Sequence, residues 1–421
     1  MSRSWSFEFY SGPIFWIAVV VVVVLVRLFR SRPGVRDWFL LVASSALLVA
    51  LPRFTPRDLL LVLAFSGVSY ASCRTLARLD PIRDQSRRKL LATLGVLAIL
   101  GFLSFFKYRL PQNLLLGGAA DAPSRATDHL ALLGVSYIAF KAISAVVDAY
   151  KGSIGELDAL RFFNYMTFFP AFIAGPINRY DLFTTQGAGT PQGPWRDDLK
   201  GGGRRIVDGL FKKFVLAPLV FPYVLTNQGT PLAAMSPGNV LVGLYAAALY
   251  FYFDFAGYSD LAIGSARLMG IPLPENFNWP FLQKNIRDLW SNWHMSLTGW
   301  LIDYLYWPVV RKLRNREFFR PRPVLLSIVG MNVTFVACGL WHGEAPHFAV
   351  WGLYHGIGIS VLNVYQRQKR RIPSRPLQRY FASRYSRWVG VVGTFHFFSA
   401  GTALFLLDLQ QLRTLLRALF A

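Results

Sequence analysis

Long apolar runs punctuated by short clusters of arginine and lysine constrain this chain more than any other feature. The clearest run, PIFWIAVVVVVVLV from Pro13, leads straight into RLFRSR. Further runs lie near residues 38–51, 58–73, 90–106, 130–147, 162–177, 209–225, 239–257, 296–310, 323–341, 345–365 and 388–408. Inside a bilayer such a run must be helical, because only a helix or a closed barrel satisfies its backbone N–H and C=O groups. The expectation is an all-α polytopic membrane protein of about ten to twelve helices, forming one domain over residues 1–421. Several runs fall short of the roughly 20 residues that cross a bilayer. Those predict tilted, half-crossing or cavity-lining helices that protein must bury. No small-residue cleavage site follows the first run, so it reads as an anchor rather than a removed signal peptide.

Charge supports this reading. Only 16% of residues are charged, against about 25% in soluble domains. A net charge of +23 would suggest nucleic acid in a soluble protein. Here the basic residues fall in blocks between apolar runs, which suits cytoplasmic loops and anionic lipid head groups, and nucleic acid is not an expected partner. The blocks are Arg27 to Arg36, Arg74 to Lys89, Arg311 to Arg322 and Arg367 to Arg387. By the positive-inside rule all are cytoplasmic. His342, between the runs at 323–341 and 345–365, then belongs at the end remote from the cytoplasm, or part-way in if those helices are re-entrant. Cys73 and Cys338 suggest neither a disulfide framework nor a zinc site. No solenoid repeat is evident. TTQGAGTPQGPWRDDLKGGGRR and TNQGTPLAAMSPGN read as breaks.

The richest segment is NIRDLWSNWHMSLTGWLIDYLYWPVV. Trp290, Trp293, Leu297, Trp300, Tyr304 and Trp307 recur at steps of three and four, forming one helical stripe. An interfacial aromatic belt would have the same pattern. Arg287, Ser291, His294 and Thr298 form a second, polar stripe, which in an apolar helix must face a partner or a wet cavity. In FVACGLWHGEAPH, His342 is either a buried structural histidine or a general base, since imidazole alone has an unperturbed pKa near working pH. Gly343 leaves room beside it for a substrate or another backbone. Metal binding by His342 and His347 is disfavoured, because five residues and Pro346 separate them, and no metal is expected. Cys338, four residues before His342, permits a Cys–His nucleophile, although a buried apolar cysteine is usually inert. His355 and His396 read as packing or cavity-lining residues, and His129 as loop. In YFYFDFAGYSDLAIG, Asp254 and Asp260 need partners or water. Those partners are expected on a neighbouring helix, and Asp254 and Tyr258 are cavity candidates. FFPAFIAGPINRY reads as a helix broken at a cavity.

GVSYIAFKAISAVVDAYKG, FFPAFIAGPINRY, YFDFAGYSDLAIG, NFNWPFLQKNIRDLWSNWHMSLTGWLIDYLYWP, GLWHG and WGLYHG together, in this order, resemble the membrane-bound O-acyltransferase (MBOAT) superfamily. They cover residues 134–356, over half the chain. The best-matching branch acylates bacterial envelope polymers, by teichoic-acid D-alanylation or alginate O-acetylation. YLYWPVVRKLRNRE lacks the PLGG of the alginate type, whereas WGLYHG suits that type equally. The resemblance implies a ring of tilted helices around a central tunnel, with His342 essential and His294 second. Trp290, Trp293, Ser291, Thr298, Asp254 and Tyr258 become candidate tunnel-lining residues. It also implies no bound cofactor, but a thioester donor: a phosphopantetheinyl carrier protein, acidic and cytoplasmic, or acyl-CoA. The acceptor would be a hydroxyl of an extracytoplasmic polymer or a relay acyltransferase. The setting would be the lipid of a bacterial inner membrane. A lipid or polymer transporter is the rival class. It predicts internal repeats and paired intramembrane charges. A non-catalytic scaffold is a third.

Overall fold

The computed structural model describes residues 12–51, 54–108, 134–187 and 195–420. Among them there is no strand, only an isolated antiparallel bridge between Phe277 and Trp293. The described residues group into two compact units, Met1–Leu210 with Tyr258–Pro274, and Phe211–Gly257 with Glu275–Ala421.

In the first unit the helices are α1 (Pro13–Leu28), α2 (Pro33–Val49), α3 (Pro56–Arg78), α4 (Gln85–Lys107), α5 (Val135–Lys151), α6 (Ala159–Thr167), α7 (Tyr180–Gly187) and nearly all of α8 (Trp195–Phe211). α3 starts on a capping box: the Thr55 hydroxyl accepts from the Asp58 amide, and the Asp58 carboxylate accepts from the Thr55 amide. Arg88, on α4, is buried. It donates to the carbonyls of Leu76 (2.7 Å), Leu79 (2.8 Å), Ala149 (3.2 Å) and Tyr150 (2.7 Å). One guanidinium thus serves the carboxyl ends of α3 and α5, where unpaired carbonyls and the helix dipole favour a cation. In the turn before α4, the Asp80 carboxylate accepts from the Ile82 (2.8 Å) and Arg83 (2.7 Å) amides, which hold it below the usual carboxylate range. The Asp37 carboxylate accepts from Arg36 at 2.7 Å and from Arg161 at 3.4 Å, tying α2 to α6.

The run at 162–177 does not continue as a helix. α6 ends at Thr167, a 3₁₀ turn covers Phe169–Ala171, and the chain is irregular to Asn178. Pro170 removes a donor, and Gly175 packs so closely that a Cβ there would lie 2.4 Å from the Ala171 Cα. The glycine triplet at 201–203, expected as part of a break, is instead helical. Two of the three pack closely, and Gly202 does so against backbone. A Cβ on Gly201 would meet the Arg267 guanidinium at 2.4 Å, and one on Gly202 would meet Leu268 at 2.8 Å and the Gly264 carbonyl at 3.0 Å. Residues 188–194 of that segment, and His129, lie outside the described residues.

α8 passes through a π-turn, Lys212–Leu216, into α9 (Ala217–Val220). α10 (Pro237–Leu268) is 32 residues long, and Gly257 to Tyr258 is where it passes from the second unit to the first. The second unit continues with α11 (Ile286–Asn292), α12 (Met295–Leu301), α13 (Trp307–Arg314), α14 (Pro323–His342), α15 (Pro346–Lys369), α16 (Arg375–Ala382), α17 (Arg384–Leu406) and α18 (Leu409–Phe420). α14 and α15 form a tight hairpin because small residues line both sides. A Cβ on Gly339 would lie 2.1 Å from the Phe348 carbonyl oxygen, and one on Gly352 would lie 2.2 Å from that of Phe335. Among the described residues, α3, α4, α10, α14, α15 and α17 are long and apolar enough to cross a membrane. The remaining helices are shorter or more polar, as the short apolar runs predict.

Candidate active site

The candidate site lies in the second unit, around a local break in the helix. The spacing at 287–298 predicts one continuous helix. The structure instead ends α11 at Asn292 and restarts at Met295, with His294 in the left-handed region at φ 43°. That conformation is strained for a residue with a Cβ. The segment at 276–278 enforces it. The Met295 amide donates to the Asn276 carbonyl (2.9 Å), the Ser296 hydroxyl to Asn276 Oδ1 (2.6 Å), and the Asn278 amide to the Asn292 carbonyl (3.1 Å). The His294 carbonyl still accepts the first α12 bond, from the Thr298 amide at 2.9 Å. The break turns the His294 ring edge-on to Phe255, with centroids 4.6 Å apart, and buries it.

His342 is the last residue of α14. Its half-buried ring stands edge-on to Trp351 (5.2 Å) and Phe405 (5.0 Å). Gly343 follows in extended backbone. A Cβ there would come within 2.3 Å of the Phe348 ring, so the glycine admits Phe348 rather than open space.

The two histidines line one cavity of about 180 Å³. α10 contributes Phe251, Asp254 and Phe255, and α11 contributes Trp290. Trp293 and Leu297 come from the break and from α12, and Cys338 from α14. α15 supplies Trp351 and His355, and α17 supplies Phe398, Thr402 and Phe405. The walls are mostly aromatic and the polar groups few, the usual make-up of a small-molecule site. Of the sequence candidates, His342, His294, Trp290, Trp293 and Asp254 meet at this cavity. Ser291 is exposed on the surface. The Thr298 hydroxyl donates to the carbonyls of Trp290 (3.1 Å) and Trp293 (3.2 Å), bracing the break rather than facing the cavity. Tyr258 belongs to the first unit, where its hydroxyl accepts from the Ala174 amide at 3.2 Å.

Asp254 and Asp260 each meet a cation. Lys213 in the π-turn reaches Asp254 at 2.5 Å, and Arg205 reaches Asp260 at 2.5 Å. Lys213 was legible as a lysine inside an apolar run, a residue type that demands a partner there. Phe398, Thr402 and Phe405 carry no motif and emerge only from packing.

A second cavity, of about 340 Å³, lies further along the same hairpin. α14 lines it with Val324, Ser327, Ile328 and Met331, and α15 with Asn363, Gln366, Arg367 and Arg370. Arg287 of α11 and Tyr306 complete it. Its rim is therefore basic where the first cavity is aromatic.

These features define a multi-pass α-helical membrane protein with a histidine-lined internal cavity. The family model for membrane-bound O-acyltransferases matches residues 57–400, and the chain belongs to that family. It is 33% identical over 279 residues to the teichoic acid D-alanyltransferase of Bacillus subtilis, covering 66% of this chain and 69% of that protein. It is 32% identical over 307 residues to the probable alginate O-acetylase of Azotobacter vinelandii, covering 72% of this chain and 59% of that one. The teichoic acid D-alanyltransferase of Streptococcus thermophilus is 32% identical over 254 residues, with 58% of this chain and 59% of the relative covered.

Proposed function

We propose that this protein transfers a small acyl group, D-alanyl or else acetyl, from a cytoplasmic thioester to a hydroxyl on the far side of a bacterial inner membrane. The acceptor is an envelope polymer or a relay protein. The observation that carries the proposal is His342 in a narrow aromatic cavity beside His294. The arrangement of the two cavities supports the direction. On α15 the basic cavity begins at Asn363 and the aromatic one ends at His355, eight residues earlier. At 1.5 Å per residue that is about 12 Å along the helix. The basic rim suits the cytoplasmic face, and His342 the remote end. A thin pantetheine arm reaches that far while its carrier, an acidic protein or the nucleotide of acyl-CoA, stays at the basic rim.

In this reading the acceptor hydroxyl attacks the thioester carbonyl carbon while the His342 imidazole takes its proton. The new C–O bond forms, the C–S bond breaks, and the imidazolium returns the proton to the departing thiolate. The His294 imidazole, or a backbone amide near it, donates to the developing oxyanion. The named relatives support D-alanyl and acetyl alike, and the basic continuation after YLYWP, in place of the alginate type's PLGG, favours D-alanyl.

The test is purified protein with radiolabelled acyl thioester and an envelope-polymer fragment. Wild type consumes the thioester and labels the polymer. His342→Ala lowers transfer about 10²–10⁴-fold, the worth of a positioned general base, and still elutes as a folded monodisperse peak. Unchanged transfer by that variant overturns the reading, and an intact thioester with wild type favours a transporter. Mass spectrometry of the polymer distinguishes alanyl from acetyl.

A further inference from the structure

Two nitrogens in the wall of the aromatic cavity have no hydrogen-bond partner among the described residues: Trp290 Nε1 and His355 Nδ1. His355 is 1% exposed and Trp290 8%, and both side chains line the cavity. Their rings meet edge-on, with centroids 5.0 Å apart. Around them stand Phe335, Trp351, Phe397 and Phe398, none of which can accept a conventional hydrogen bond, and Tyr354, whose hydroxyl donates to the Phe397 carbonyl at 2.9 Å and makes no bond to either nitrogen. Buried polar groups in native proteins nearly always have partners, so an orphan pair on two rings that line one cavity calls for a ligand. Indole N–H can only donate, which makes the ligand atom an acceptor. The His355 tautomer with its proton on Nδ1 donates to the same kind of atom.

The position of the pair along the helices narrows the choice. Trp290 follows Arg287 by three residues, one turn of α11, and Arg287 lines the basic cavity. On α15, His355 is the aromatic-cavity residue nearest in sequence to Asn363 of the basic cavity. Both donors therefore lie on the side of the aromatic cavity that faces the basic one. His342 lies past them, with Trp351 between its ring and those of Trp290 (5.8 Å) and His355 (4.9 Å). We propose that Trp290 and His355 form a binding site for an amide carbonyl in the arm of the acyl donor, holding the arm between the two cavities while its thioester reaches His342. The proposal rests on the thioester reading above, and it assigns these two residues to donor recognition rather than to the chemical step.

The test measures binding without turnover. S-ethyl pantetheine, whose arm carries two amides, and ethyl hexyl sulfide, which carries none, are titrated into protein in lipid nanodiscs. Wild type binds the pantetheine thioether more tightly. Trp290→Phe, which keeps a ring and removes the N–H, and His355→Leu each weaken that ligand about tenfold, the usual worth of one hydrogen bond. The alkyl sulfide is unaffected by either change. His355→Asn, whose amide nitrogen sits near the position of Nδ1, restores most of the affinity. In the transfer assay Trp290→Phe raises KM and leaves kcat unchanged, as loss of uniform binding requires. Equal weakening of both ligands, no difference between them in wild type, or a fall in kcat alone overturns the site. If the binding difference holds but no thioester is consumed, the site stands and the transfer reading falls.

Discussion

Two regions use their buried polar groups differently: the helix junctions around Arg88 and Asp37 in the first unit, and the aromatic cavity in the second. In the first, Arg88 is enclosed by four carbonyls, Asp37 sits between two arginines, and Lys141 donates to the Tyr165 carbonyl at 3.0 Å. These groups are spent on holding helices together. In the second, the aromatic cavity leaves Trp290 Nε1 and His355 Nδ1 without partners among the described residues, and the backbone at His294 beside it is in a strained conformation. An unmade hydrogen bond and a strained residue each cost stability, and such costs gather where a ligand or a reaction makes use of them.

Breaking the scaffold side has the largest expected effect on stability. Arg88→Met removes the shared cation and leaves carbonyls of α3 and α5 unpaired. It lowers stability by about 3 kcal/mol, read as a fall in the melting temperature of detergent-solubilised protein. Transfer per folded molecule stays near wild type, and a selective loss of transfer at full stability contradicts the contrast.

His294 tests the site side next. His294→Gly relieves the left-handed strain but deletes the imidazole, and His294→Ala keeps the strain. If the imidazole matters, both lower transfer about 10²-fold, the scale of a lost oxyanion donor. Only the alanine variant is then also less stable than glycine, by about 1–2 kcal/mol. Normal transfer in the glycine variant assigns His294 to backbone geometry alone.

Gly339→Ala probes the hairpin that carries His342. Its methyl runs into the Phe348 carbonyl oxygen, so α14 and α15 must separate. The expected cost is about 2 kcal/mol, with a matching loss of transfer because His342 is on the next turn. A stable variant with wild-type transfer shows that the hairpin tolerates spreading.

The smallest effect sharpens the scaffold side. Asp80 is exposed, and two amides hold its carboxyl below the ordinary range. Its folded-state affinity for a proton is lowered, so the turn gains from it above the unfolded carboxylate pKa and loses that gain as pH falls through the lowered one. Asp80→Asn removes only this acid-sensitive component. Thermal melts of the variant and wild type converge at low pH and differ slightly at neutral pH.

Much of the site was legible because chemistry in an apolar chain is conspicuous. His342, His294, Trp290, Trp293 and Asp254 stand out as polar or amphipathic residues in or beside apolar runs, and all five line one cavity. Ser291 and Thr298 misled because the spacing argument assumes one unbroken helix. A left-handed residue at 294 takes His294 and every residue beyond it off the face that Ser291 shares with Arg287 on α11. Gly201 and Gly202 misled for a related reason: they look like a hinge, whereas their surroundings are set by Arg267 and Leu268, more than sixty positions away in sequence.

What the sequence alone determined is the helical class, the apolar segments with their basic flanks, and the family, because hydrophobic periodicity and local motifs are properties of adjacent residues. What only the tertiary structure decided is which side chains share a wall. Phe398, Thr402 and Phe405 join His342 through the packing of α17 on α15, and Lys213 finds Asp254 forty-one positions away. Such contacts depend on how rigid helices pack, and nothing in the neighbouring residues of either partner encodes them.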